Sequence, residues 1–118
     1  MKITDITRCI APELQQFELE LRGIFSSPSE PMNEIMQYLA ESQGKRIRPI
    51  LVFLSAKLLG EVNASTFRSA LFVEMIHSAT LLHDDVVDGD SERRGRASAN
   101  AKFGNHNAIL AGDFLFAK

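Results

Sequence analysis

Three aspartates crowded into His83-Asp84-Asp85-Val86-Val87-Asp88-Gly89-Asp90 are the densest group of potential ligands in the chain. On an α-helix, with about 3.6 residues per turn, Asp84 and Asp88 lie within about 40° of each other on one face. The pattern places them in the last turn of a helix that ends before Gly89, where the macrodipole is negative and a further negative charge costs stability. A hard dication reverses that cost, because magnesium takes one or two carboxylate oxygens and keeps its other positions for water and substrate phosphate. From these eight residues alone, a solvated acidic helix end remains an equal reading.

The flanking residues weigh toward an anion. Glu92-Arg93-Arg94-Gly95-Arg96 follows directly, and a metal-bound diphosphate still presents oxygens that Arg93 and Arg94 can meet with forked, charge-assisted hydrogen bonds. Upstream, Gly44-Lys45-Arg46-Ile47-Arg48-Pro49 sets three cations at the start of a predicted helix, a second place suited to phosphate. Taken singly, either basic group also reads as a solvated surface patch. His77 precedes Asp84 by seven residues, which puts it on the same stripe about 10 Å away, a distance suited to a second substrate rather than to the first metal. His83 and His106 lack such a relation and read as structural. His83 and Asp84 are adjacent and point about 100° apart, which argues against a histidine–carboxylate transition-metal site.

The elements that must position these groups read as helices, with no convincing strand alternation. Leu14, Phe17, Leu21 and Phe25 give one apolar face over 12–25, closed by Ser26-Ser27-Pro28-Ser29. A second helix is expected from Pro31 through Ile35, Met36 and Leu39 toward Ser42, broken by Gly44. Pro49 is expected to open a third, ending at Leu59 with Gly60 as its cap. Asn63 or Ser65 can cap a fourth, which runs through Leu71, Phe72, Met75, Ile76 and Leu82 to Asp88. A polar loop from Gly89 to about Asn105 leads to a fifth helix from about Asn107 to Lys118. The third and fourth helices are apolar on every side, at Ile50-Leu51-Val52-Phe53-Leu54 and Ala70-Leu71-Phe72-Val73. Such helices belong in the middle of a bundle and need more cover than about five helices supply. The expectation is an all-α fold in which residues 1–118 are the amino-terminal part of one larger domain; a small bundle that hides these faces by oligomerising is the alternative.

Bulk properties exclude several classes. With 118 residues, 45% of them hydrophobic, the chain has the composition of a globular domain. Its 13 basic and 15 acidic residues leave a net charge of -2, which offers no field for nucleic acid. The single cysteine, Cys9, cannot form an internal disulfide and fits a cytoplasmic setting. Thr4, Asp5, Thr7 and Arg8 interrupt any secretory apolar stretch between Met1 and Pro12, and the longest apolar run, Pro49 to Ala56, is too short to span a membrane.

Four blocks in this order, Gly44 to Pro49, His77 to Asp88, Arg93-Arg94-Gly95 and Gly112-Asp113-Phe114-Leu115, resemble the trans-isoprenyl diphosphate synthases, in particular the bacterial polyprenyl type. The resemblance implies an all-α bundle of the isoprenoid synthase type, usually a homodimer, that condenses isopentenyl diphosphate with an allylic prenyl diphosphate, head to tail. It implies that Asp84 and Asp88 are magnesium ligands for the allylic diphosphate, with Asp85 in a supporting catalytic role, and that Arg93 contacts that diphosphate. Lys45, Arg48, His77 and Arg94 match residues that bind isopentenyl diphosphate. The second aspartate-rich motif of the family is absent from these residues, so the chain alone is expected to hold half an active site.

Two rivals have distinct signatures. A non-catalytic or regulatory subunit of a heteromeric prenyl synthase would have no use for Asp84, Asp88, Arg93 and Arg94 together, and a terpene cyclase would not explain two separate basic sites. In the family, a large aromatic four or five residues before the first aspartate gives short products. Here those positions are Thr80 and Ala79, so a product growing from Asp84 past Ala79, Ile76 and Phe72 is expected to be a medium or long polyprenyl chain.

Overall fold

The computed structural model describes residues 2–41 and 44–118. In chain order these form α1 (Ile3–Thr7), a 3-10 turn (Arg8–Ile10), α2 (Ala11–Ile24), α3 (Met32–Glu41), α4 (Ile47–Leu59), α5 (Ala64–Asp88), β1 (Glu92–Arg93), β2 (Arg96–Ala97), α6 (Ala99–Phe103) and α7 (Asn105–Ala117). The expected end of the second helix at Ser42 lies outside the described residues, as does Met1. The fold is all-α apart from one small antiparallel hairpin, in which Glu92 faces Ala97 and Arg93 faces Arg96. Among the described residues, no helix is long and apolar enough to cross a membrane.

The chain packs as two compact units. The first comprises residues 1–23 and 45–74, and its core gathers Ile10, Phe17, Leu21, Ile50 and Phe53, all buried. Phe53 meets Phe17 and Phe67 edge to face, with ring centroids 6.1 and 5.0 Å apart. Such aromatic pairs add about 0.5–1.5 kcal/mol each beyond the area they bury. Lys57 ties the amino-terminal segment to α4: its Nζ donates to the Cys9 carbonyl at 2.6 Å and pairs with Glu13 at 3.0 Å. The hydrogen bond from Lys57 holds the Glu13 carboxyl below its ordinary pKa, against the opposing effect of burial.

The start of α4 differs from the expectation, whereas α5 takes one of its two expected caps. α4 begins at Ile47, not Pro49, with Arg46 at its N-cap in the left-handed region (φ 57°). Pro49 is therefore the third helical residue, tolerated because the first-turn N–H groups have no intrahelical partner. At α5, Asn63 is the cap: its Oδ1 accepts from Thr66 N and its N donates to Thr66 Oγ1, both at 3.2 Å. Gly60 follows α4 as expected, but at φ 171° it is extended and needs no glycine.

The second unit comprises residues 24–44 and 75–118. Here α3 packs on α6 and α7, around buried Ile35, Met36, Leu82, Ala108, Ala111 and Leu115. Small residues let α7 approach closely, and a Cβ on Gly112 would overlap the His83 ring. The His83 ring nitrogen Nε2 lies 3.1 Å from the Ile109 carbonyl and 3.4 Å from Asp113 Oδ1, which makes His83 a helix-to-helix tie, in keeping with its structural reading. Where a polar loop was expected, the hairpin and α6 stand instead. Ser98 caps α6 by accepting from Ala101 N at 3.3 Å, and its hydroxyl donates to the Asp90 carbonyl at 2.9 Å. α7 then begins at Asn105, two residues before its expected start.

Large apolar side chains remain exposed on several helices, among them Leu51, Leu58 and Leu59 on α4 and Ile109, Leu110 and Phe116 on α7. Leu59 is 86% exposed. Leu51 lies in the stretch of α4 that the sequence pattern assigns to the inside of a bundle.

Candidate active site

The site in the second unit is built on the end of α5. Gly89, at φ 71°, terminates the helix in a left-handed turn. Its N–H bonds the Val86 carbonyl at 3.3 Å, and Asp90 N–H bonds the Asp85 carbonyl at 3.0 Å, the paired bonds of a Schellman motif. This stop leaves Asp84 and Asp88 exposed, one turn apart on the same face of α5. Asp85 turns the other way. It is 3% exposed and accepts from Arg93 Nε at 2.8 Å and Nη2 at 2.6 Å. That bidentate bond raises the Arg93 pKa above its ordinary value, against the opposing effect of burial.

The three aspartates thus separate by environment. Asp85 is a buried anchor for the arginine hairpin, whereas Asp84 and Asp88 carry exposed charge where the helix dipole opposes it. Two exposed carboxylates on one face fit a dication that retains water and phosphate ligands. Among the described residues, no group of three His, Cys, Asp or Glu side chains is placed to enclose a metal ion.

Arg94 and Gly95 form the two-residue turn of the hairpin, both at positive φ (53° and 75°), the geometry that matches strand twist in short hairpins. Tyr38 on α3 fastens this hairpin: its hydroxyl donates to the Ala97 carbonyl at 2.6 Å, and the Arg96 guanidinium lies 4.2 Å from its ring centroid. Arg96 also lies 3.6 Å from Glu41. Asn100 Nδ2 donates to the Asp90 carbonyl at 2.9 Å, tying α6 to the chain just beyond α5. Sequence reading missed Tyr38, Arg96 and Asn100 as supports. Only the Arg-Gly pair in a short polar stretch signalled a tight turn.

In the first unit the three cations around the start of α4 divide. Arg46 is committed to the fold: its Nε donates to Glu18 at 2.7 Å and its Nη1 to buried Glu74 at 2.9 Å. Burial lowers its pKa, yet Glu18 and Glu74 outweigh that and leave it raised. This corrects the reading of Arg46 as part of an anion site. Lys45 and Arg48 are both exposed beside the start of α4.

On the second-unit part of α5, His77 is half-buried, and Ile76 and Thr80 are exposed on the side that carries Asp84. Thr80 Oγ1 donates back to the Ile76 carbonyl at 2.8 Å. Ala79 differs: it is fully buried, about 140° around the helix from Asp84. Ala79 thus lies on the packed side of α5, away from the exposed side that carries Asp84.

An all-helical fold that ends one helix in paired exposed carboxylates beside an arginine hairpin is in keeping with the isoprenoid synthase class, and the comparisons show that class. A family profile described as polyprenyl synthetase matches residues 29–118, and the chain belongs to that family. It is similar to the octaprenyl diphosphate synthase of Haemophilus influenzae, 40% identical over 118 residues, covering 100% of this chain and 36% of that protein. It is also similar to heptaprenyl diphosphate synthase component 2 of Geobacillus stearothermophilus, 37% identical, covering 100% of this chain and 37% of that protein. The solved polyprenyl synthase of Caulobacter crescentus, complexed with calcium and isoprenyl diphosphate, superposes with a TM-score of 0.91 at 34% identity, covering 98% of this chain and 35% of that one. The chain thus spans about a third of the length of the curated relatives it matches.

Proposed function

We propose that this chain is the amino-terminal part of a magnesium-dependent trans-polyprenyl diphosphate synthase, which condenses isopentenyl diphosphate with an allylic prenyl diphosphate, head to tail, and releases diphosphate. The observation that carries this reading is the exposure of Asp84 and Asp88 on one face of α5, beside a hairpin that presents Arg93 and Arg94. The apolar faces left open on α4 and α7 support placing the chain in one larger helical domain.

Asp84 and Asp88 are the proposed magnesium ligands, and Asp85 serves catalysis by holding Arg93. Bound there, magnesium would neutralise charge on the departing diphosphate. Asp85 occupies Arg93 Nε and Nη2, so the allylic diphosphate meets the opposite edge of that guanidinium, at Nη1. Charge-assisted hydrogen bonds there strengthen as the carbon–oxygen bond breaks and the diphosphate leaves with the bonding pair. The double bond of isopentenyl diphosphate, oriented through its own diphosphate by Lys45, Arg48, His77 and Arg94, attacks the resulting allylic cation. Loss of a proton from the adduct restores a double bond. Positioning and electrostatics suffice, and no protein nucleophile takes part.

Thr80 and Ile76 on the exposed side of α5 are proposed to flank the growing chain, with Ala79 acting through the close packing its small side chain permits. The small side chains of Thr80 and Ala79, in place of a large aromatic, favour a medium or long product. The proposed enzyme is a cytoplasmic homodimer. A second reading, a subunit of a heteromeric synthase, is favoured by the relative named as a component.

The test is condensation of an allylic diphosphate with isopentenyl diphosphate by the complete synthase carrying this segment, read by chromatography of the dephosphorylated alcohols. Elongation by that single polypeptide supports the main reading. Elongation that appears only after a second, different subunit is added supports the heteromeric one, and none in either case refutes both.

A further inference from the structure

Gly44 is a glycine that its own backbone does not require. Unlike Gly89, Gly95 and Gly104, it does not stand at positive φ. What it lacks room for is a side chain: a Cβ there would lie 3.0 Å from Arg94 Nη2, 3.2 Å from Cζ and 3.4 Å from Nη1. Three guanidinium atoms at nearly equal distance mean that the planar group lies flat against Gly44 instead of touching it by one corner. Arg94 itself is exposed and sits at φ 53°, at the first loop position of a two-residue hairpin turn, where asparagine or glycine is relaxed and arginine is not. The chain therefore keeps an arginine in an unfavourable backbone setting and leaves a bare backbone for its head group to lie on.

We propose that Gly44 is a positioning residue for isopentenyl diphosphate: its missing side chain is the seat that fixes the height and tilt of the Arg94 guanidinium. The proposal rests on the role given to Arg94 in the functional reading above. It also gives the glycine a reason within Gly44-Lys45-Arg46-Ile47-Arg48-Pro49 separate from helix breaking. A methyl group at residue 44 meets the end of a flexible side chain, so the arginine gives way while the backbone stays in place.

The test is a double-mutant cycle in the complete synthase. Gly44→Ala raises the KM for isopentenyl diphosphate by about three- to tenfold, while kcat and the allylic KM stay within about twofold. In an Arg94→Ala background, Gly44→Ala adds less than about twofold to that KM. In an Arg94→Lys background the effect shrinks, because an ammonium has no flat face to be displaced. An unchanged KM in Gly44→Ala, an equal rise in the parent and Arg94→Ala backgrounds, or failure of Gly44→Ala to fold overturns the proposal. If the unsubstituted synthase shows no condensation, the functional reading falls instead. The seat is then judged by the Arg94 Nε–H resonance of the 118-residue chain: a shift on Gly44→Ala supports it and an unmoved resonance overturns it.

Discussion

Replacing neighbouring aspartates at the end of α5 should change stability in opposite directions. Asp85→Asn keeps the side-chain shape but turns an amide toward Arg93, losing one charge-assisted hydrogen bond and weakening the other. Hydrogen bonds to charged groups contribute about 1.5–3 kcal/mol. The Arg93 side chain is 35% exposed, so water recovers part of its solvation and the loss falls in the lower half of that range, about 1.5–2 kcal/mol. Asp84→Asn and Asp88→Asn instead remove exposed charge from a negative helix end and relieve a like-charge pair one turn apart. Each should stabilise the metal-free chain by about 0.3–1 kcal/mol at low salt. The assay is urea unfolding of the 118-residue chain followed by far-UV circular dichroism, with midpoints compared at a common slope. If Asp84→Asn and Asp88→Asn destabilise as much as Asp85→Asn, all three serve the fold, and the argument that two are kept for a ligand fails.

Substrate kinetics of the complete synthase should separate its two anion sites. Lys45→Ala, Arg48→Ala or His77→Ala should chiefly raise the KM for isopentenyl diphosphate, whereas Arg93→Ala should chiefly affect the allylic substrate; uniform effects on both would count against two sites. Product chromatography should show shorter chains for Thr80→Phe with condensation retained, while Ala79→Phe overpacks a buried position and lowers thermal stability. An unchanged product ladder in Thr80→Phe would place the growing chain elsewhere. Glu13 has a folded pKa below its ordinary value of 4.5, so its pairing with Lys57 contributes full stability above that value and loses it as the pH falls through the lowered one. Glu13→Gln should therefore flatten the acid limb of the stability–pH profile, and an unchanged limb would remove this pair from acid unfolding.

Much of the helical frame was legible because apolar spacing and punctuation agree: Phe17 and Leu21 are buried where the three- and four-residue pattern placed them, and Gly89 ends α5 as a left-handed cap. The start of α4 was misplaced because Pro49 is compatible with any first-turn position, and only the left-handed Arg46 marks the true boundary. The hairpin escaped notice because its two-residue strands are too short for alternation, and what holds it comes from distant Tyr38 and from Asp85. Within the site, helix periodicity set Asp85 apart from Asp84 and Asp88 but left open which side is buried. Which of them turns inward depends on Arg93, a tertiary partner that helix periodicity does not encode. Arg46 was indistinguishable from Lys45 and Arg48 for the same reason, since Glu18 and Glu74 are brought to it by packing.

The central claim, that Asp84 and Asp88 hold the metal through which the allylic diphosphate is activated, is tested most directly by turnover of the complete synthase at varied magnesium. Asp84→Ala and Asp88→Ala should each lower magnesium-dependent elongation by orders of magnitude while the far-UV circular dichroism spectrum stays that of the parent. Near-normal elongation in both variants would contradict the claim and leave the acidic end of α5 a solvated helix terminus.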